Sequence, residues 1–228
     1  LAATLLGTLG QLAGLDWSEQ DLFSRTLALE QILTSGGGWQ DQVGGIVGGL
    51  KLVESGPGLL HKPVTRWLPA QTLETAIADR RFQLYYTGLT RVAHNILGEI
   101  VKGLFLNDAA RLRIIEEIGL NADFASEALQ RHDWSRFTEA VRRSWLLNRL
   151  LDGGTNPPEV QAIIDRVAPW LAAVKLAGAG GGGYMVLLAD SPANGLRLRQ
   201  ALESNPPNGR ARFVQVSISH TGLEITRS

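Results

Sequence analysis

The chain has 228 residues, 44% apolar and 19% charged, an ordinary balance for a globular protein long enough to bury a core. Its 22 Lys plus Arg match its 22 Asp plus Glu, so a nucleic-acid or anionic-membrane surface, which needs a basic excess, is not expected. With no cysteine there is no disulfide, thiolate metal site or Cys nucleophile, and His61, His94, His132 and His220 lack the H-x-x-x-H spacing of a zinc site, a composition that suits a cytoplasmic protein.

Residues 1–14 read as an apolar helix. They have no basic leader region and are too short to span a bilayer. Ser18 and Asp21 have the spacing of a capping box, so a second helix is expected from there to about Leu33, ended by Ser35-Gly36-Gly37-Gly38. The segment 39–45 reads as a glycine-bounded turn and 46–54 as a strand. Gly56-Pro57-Gly58 signals a turn, a short strand is expected over 64–68, and a soft boundary falls near 70–80.

The aromatic-rich Phe82-Gln83-Leu84-Tyr85-Tyr86-Thr87 predicts a strand. Helical patterns follow over 91–106, 108–130, 133–151 and 157–170, the last opened by Asn156-Pro157-Pro158-Glu159. Val174 to Leu176 lead into a glycine run. Strands are then expected over 184–189, 211–219 and 223–227, with a helix over 192–203. The pattern is α+β, with a helical insert before a β-loop-β-α-β ending.

Three groups of residues can carry chemistry. The run Gly178-Ala179-Gly180-Gly181-Gly182-Gly183 lets backbone N–H groups approach an anion closely, or serves as a flexible linker. It matches neither a Walker loop nor a dinucleotide-binding fingerprint. Gly36-Gly37-Gly38-Trp39-Gln40-Asp41-Gln42 places a carboxylate beside glycines, either facing a small ligand or closing its own turn. Glu30, eleven residues before Asp41, lies in an apolar helical stretch. A carboxylate buried there needs a partner, and Mg²⁺ is one. Tyr86, Thr87 and Arg91 are open between a sugar site and ordinary roles, Tyr86 as a sheet aromatic and Arg91 as a surface cation at a helix start. Arg142 and Arg143 fit a charged helix face.

The segment from Thr34 to Gln42, followed by Gly44-Gly45, resembles the catalytic-aspartate segment of the GHMP kinases, and Lys175-Leu176 with the glycine run resembles their third motif. The wording Gly-Gly-Gly-Trp-Gln-Asp-Gln, and Leu84 through Arg91, is most similar to L-fucokinases, including those joined to a fucose-1-phosphate guanylyltransferase. The resemblance covers the whole chain. It implies a GHMP kinase fold, its C-terminal two-thirds, ending in a ferredoxin-like part with a helical insert. Residues 1–75 would then belong to the N-terminal domain and 76–228 to the C-terminal one.

The resemblance further implies Mg²⁺ on Glu30 and Asp41 at the acceptor hydroxyl. Gly178, Ala179, Gly180, Gly181 and Gly182 would lie at the ATP phosphates, across a cleft from Asp41, with Gly37, Gly38, Trp39, Tyr86 and Arg91 near the sugar. It implies an ATP-dependent sugar 1-kinase with no nucleic-acid or membrane partner, and a fused nucleotidyltransferase upstream is compatible with it. The family's phosphate loop, ending in Ser-Ser, is expected before Leu1. The runner-up is a heptose-phosphate kinase of the same superfamily, which should carry an Arg and Lys cluster at its sugar site. A non-catalytic sugar or nucleotide sensor is the other alternative, and it would need neither Glu30 nor Asp41.

Overall fold

The computed structural model describes residues 1–33, 38–56, 62–89, 106, 108–178 and 180–226. The expected helix over 91–106 lies almost wholly outside them. Two compact units are formed, one by Leu1–Leu68 with Ile218–Ser228 and the other by Pro69–Ser217. The change of unit falls between Leu68 and Pro69, and the C-terminal segment Ile218–Ser228 belongs to the first unit.

In the first unit, α1 (Ala2–Leu12), α2 (Glu19–Leu33) and α3 (Gln40–Ile46) precede a hairpin of β1 (Lys51–Glu54) and β2 (Val64–Trp67). The capping box ahead of α2 is present: Ser18 N–H donates to Asp21 Oδ2 and Asp21 N–H donates to Ser18 Oγ, both at 3.1 Å. The bonds from Ser18 hold the Asp21 carboxyl below its ordinary pKa. Leu22 and Phe23 of α2 pack with Val43 and Ile46 of α3, joined by Leu6, Trp17 and Trp39. Helix α1 buries Gly7 and Gly10 and leaves Leu5, Leu9 and Leu12 exposed, as is Leu1 just before it. A Cβ on Gly10 would come within 2.8 Å of the Trp17 ring, so the missing side chain is what admits that ring.

Three expectations are corrected in this unit. Residues 40–46 form a helix, not a turn, because burial of Gln42, Val43 and Ile46 on one side outweighs the poor helix propensity of Gly44 and Gly45. The strand expected over 46–54 begins only at Lys51. Its first residues are diverted at Gly49, whose φ is +82° and whose N–H donates to Ser219 O at 2.7 Å. Residues 223–226 do not extend a sheet; Leu223 N–H bonds the end of α3 at Ile46 O, 3.0 Å away.

The second unit opens with α4 (Gln71–Ala78), then β3 (Phe82–Tyr86), α5 (Ala109–Gln130) and α6 (Trp134–Leu151). After a short 3₁₀ turn (Gly153–Thr155) come α7 (Pro158–Val167), β4 (Ala173–Leu176), β5 (Tyr184–Leu188), α8 (Pro192–Ser204) and β6 (Arg212–Val214). Side chains of Asp108, Asp133 and Ser191 cap α5, α6 and α8. The strand expected over 211–219 is cut to three residues, because only Leu84, Tyr85 and Tyr86 pair with it.

The sheet order is β4-β5-β3-β6, with every neighbouring pair antiparallel. This is the ferredoxin-like arrangement, with the first crossover enlarged by α5, α6 and α7. Tyr85, Leu176, Met185 and Leu187 from the strands meet Val160, Ile163 and Val167 from α7 and Leu198 and Leu202 from α8. The large side chains among these are at most 1% exposed, and each contributes about 1.5–3 kcal/mol by leaving water. No helix among the described residues is long and apolar enough to cross a membrane.

Candidate functional site

In the first unit the packing of α2 on α3 sets the chemistry. Glu30 is half-buried on α2. Gln42, on the buried face of α3, donates from Nε2 to Glu30 Oε2. Gln42 is only 7% exposed, and its Oε1 is buried without a hydrogen-bond partner among the described residues. Asp41 lies in the first turn of α3 and is exposed. The helical period places Asp41, Gly44 and Gly45 on the outer face, away from Gln42, Val43 and Ile46.

Gly44 and Gly45 border a hollow of about 350 Å³ whose other walls include Gly48, Gly49, Lys51 and Gly222. The Lys51 ammonium donates to Gly49 O at 3.1 Å and to Val47 O, and burial pulls its pKa below the usual lysine value. Gly38 is exposed, and Trp39 is half-buried against the core rather than free in solvent. Gly37 lies outside the described residues.

Among the described residues no group of three or more His, Asp or Glu forms a cage for a metal ion. The Glu30 carboxylate is nevertheless a hard oxygen ligand, and the Gln42 amide bonded to it through Nε2 carries a second, orphaned oxygen. These oxygens would suit a magnesium ion bound largely through water.

In the second unit the glycine run joins β4 to β5. Gly178, Gly180, Gly181, Gly182 and Gly183 all have φ between +72° and +151°, the region that favours glycine. The run is anchored rather than loose. Gly181 N–H donates to Thr155 O at 2.8 Å, Gly183 N–H donates to Leu89 O at 3.0 Å, and Gly183 O accepts from both Thr87 N and Thr87 Oγ1 at 2.9 Å. These bonds occupy two of the run's N–H groups, those of Gly181 and Gly183, which are then not available to an anion. The N–H groups of Gly178 and Gly180 remain unpaired among the described residues. Ala179 lies outside them.

Tyr86 sits at the same end of the sheet as this loop, opposite Tyr184 and Arg212. Its ring lies 5.3 Å from that of Tyr184 and 5.3 Å from the Arg212 guanidinium, so it is engaged in cross-strand packing. Arg91 lies outside the described residues. Arg142 donates to Ala172 O and Arg143 pairs with Glu117, both on an exposed helix face as expected.

Sequence reasoning missed Gln42, which follows Asp41 directly but whose burial against Glu30 depends on how α2 meets α3. Thr87, which the sequence placed with Tyr86 and Arg91, is fully buried and bonded to Gly183 O.

Residues 125–208 match the family described as GHMP kinases C terminal. The whole chain is 43% identical to an L-fucokinase/L-fucose-1-P guanylyltransferase of Bacteroides fragilis, of which it spans 24%. Over 206 residues, 90% of the chain, it is 31% identical to a bifunctional fucokinase/GDP-fucose pyrophosphorylase of Arabidopsis thaliana, of which the match spans 19%. The fold matches a D-glycero-D-manno-heptose 1-phosphate kinase of Bacteroides thetaiotaomicron with a TM-score of 0.71, covering 99% of this chain and 61% of that one at 14% identity.

Proposed function

We propose that this chain, which belongs to the GHMP kinases, is part of an enzyme that transfers the γ-phosphoryl group of ATP to the anomeric hydroxyl of L-fucose, giving fucose 1-phosphate. The observation that carries the choice of sugar is the 43% identity to the Bacteroides fragilis protein over all 228 residues. The heptose kinase shares the fold at 14% identity, which supports no choice of substrate. Among the described residues the hollow beside Gly44 and Gly45 presents Lys51, tied to two backbone carbonyls, and not the cluster of cations that a phosphorylated sugar calls for.

Phosphoryl transfer asks the protein for alignment and charge stabilisation more than for covalent chemistry. In this reading Asp41 accepts a hydrogen bond from the anomeric hydroxyl and takes its proton as the oxygen–phosphorus bond forms. The outer face of α3 supports that role: Asp41 is exposed there, and the two glycines beside it leave the backbone open to a sugar. Glu30, with Gln42, would hold Mg²⁺, which would supply neutralisation of charge on the phosphates. The N–H groups of Gly178 and Gly180, unpaired among the described residues, donate to phosphate oxygens, while the bonds to Thr155 and Leu89 keep the loop rigid. Tyr86 and Arg91 are proposed to lie nearer the sugar.

The names of the two fucokinase relatives support a fused nucleotidyltransferase elsewhere in the same protein. An ATP-dependent step of sugar metabolism, in a chain with no cysteine, further suggests a cytoplasmic setting. The test is ADP release by the longer protein containing this chain, with L-fucose, D-galactose, D-mannose and heptose phosphates offered in turn. L-Fucose should give the highest kcat/KM. A higher value for a heptose phosphate would overturn the assignment.

A further inference from the structure

We infer that Gln42 is a positioning residue that orients Glu30 for a divalent cation and offers its own carbonyl oxygen to that cation's shell. The inference rests on the reading of Glu30 given above. Gln42 emerges from the face of α3 that also buries Val43 and Ile46, where an apolar side chain would be the stable choice. Instead it carries an amide. Its Nε2 donates to Glu30 Oε2, a bond between helices that fixes one carboxylate oxygen and leaves Oε1 of Glu30 for another partner. The amide cannot simply be reversed, because that would set its carbonyl against the carboxylate.

The orphaned acceptor is the stronger clue. A buried carbonyl oxygen without a donor carries an uncompensated desolvation cost, and Gln42 Oε1 is such an atom among the described residues. A hydrated cation on Glu30 would remove that cost, since its waters donate hydrogen bonds and the ion itself accepts oxygen ligands. Gln42 is also the residue after Asp41. Holding its side chain on α2 therefore fixes the first turn of α3, which carries the exposed carboxylate.

The test uses the longer protein containing this chain, with Mn²⁺ as probe and a non-hydrolysable ATP analogue. Water-proton relaxation reports protein-bound Mn²⁺ without any turnover. Glu30→Ala serves as the reference, with Gln42→Leu and Gln42→Asn as the test variants; Asn is too short to reach Glu30 but keeps the amide. Both test variants should weaken Mn²⁺ binding by about 10–100-fold, the range for residues that orient metal ligands. The melting temperature of Gln42→Leu should hold or rise, because an unsatisfied buried polar group has gone.

Mn²⁺ affinity within twofold of wild type in both variants overturns the inference. So does a loss of affinity that comes with a comparable fall in melting temperature in both, which would make Gln42 a packing residue. If Glu30→Ala itself leaves Mn²⁺ binding unchanged, the reading of Glu30 has failed and takes the inference with it. If only the Gln42 variants are silent, the inference alone has failed.

Discussion

The glycine loop offers a paired substitution whose two members should differ sharply. Gly180 has φ +95°, and a Cβ there would lie 2.7 Å from Thr155 Cγ2 and 2.8 Å from Thr155 O. Thr155 is 1% exposed, so its methyl has little room to turn away, and its carbonyl accepts the Gly181 N–H and cannot move without breaking that bond. Left-handed strain of about 1–2 kcal/mol, overpacking of about 1–3 kcal/mol and a lost hydrogen bond of about 1 kcal/mol together put Gly180→Ala at roughly 3–6 kcal/mol. Gly178 has φ +72°, but a Cβ there meets nothing within 4 Å, so Gly178→Ala should cost only the strain, about 1–2 kcal/mol.

Hydrogen exchange read by mass spectrometry over the loop separates the two. Exchange at the Gly181 and Gly183 amides should quicken about a hundredfold or more in Gly180→Ala and about tenfold in Gly178→Ala. The KM for ATP should rise more in Gly180→Ala. Equal effects in the two variants would refute the argument that the loop is held rigid against Thr155.

Asp41→Asn should lower kcat by roughly 10²–10⁴ while ATP affinity, measured by calorimetry, holds; a near-normal kcat would make Asp41 a residue of the α3 start and nothing more. Glu30→Ala should raise the magnesium concentration needed for half-maximal rate and leave the sugar KM nearly unchanged, and an unmoved magnesium curve would remove Glu30 from the site. Burial holds the pKa of Lys175 below the ordinary 10.5, so between its folded value and 10.5 the folded chain binds fewer protons than the unfolded one and stability rises with pH through that window. Lys175→Met should therefore raise the denaturation midpoint at pH 7, with an advantage that shrinks as pH approaches 10.5; an advantage independent of pH would count against the burial argument.

Local chemistry made much of the architecture readable. The reciprocal bonds of Ser18 and Asp21 start α2 where the capping pattern said they would, and the aromatic alternation of 82–86 becomes a central strand with Gln83 and Tyr85 buried. The long helices of the insert and the hairpin around the glycine run likewise follow from patterns within single segments. What escaped was decided between segments. Gly44 and Gly45 read as helix breakers, yet α3 forms because Val43 and Ile46 find Leu22 and Phe23 on α2. Helix α4 has no side-chain cap and buries only Leu73 and Ala76, too little pattern to declare itself. At the candidate site Glu30 and Asp41 stood out as carboxylates in unusual company, whereas Gln42 gained meaning only once its amide met Glu30.

The central claim concerns which bond the enzyme makes. It is tested most directly by phosphorus-31 NMR of the product formed from ATP and L-fucose by the longer protein containing this chain, alongside its Asp41→Asn variant. The account predicts one sugar phosphate, with its phosphorus coupled to the anomeric proton, and no comparable product from the variant. A phosphate on any other sugar oxygen, or no sugar phosphate from the unaltered protein while a heptose substrate is consumed, would contradict it.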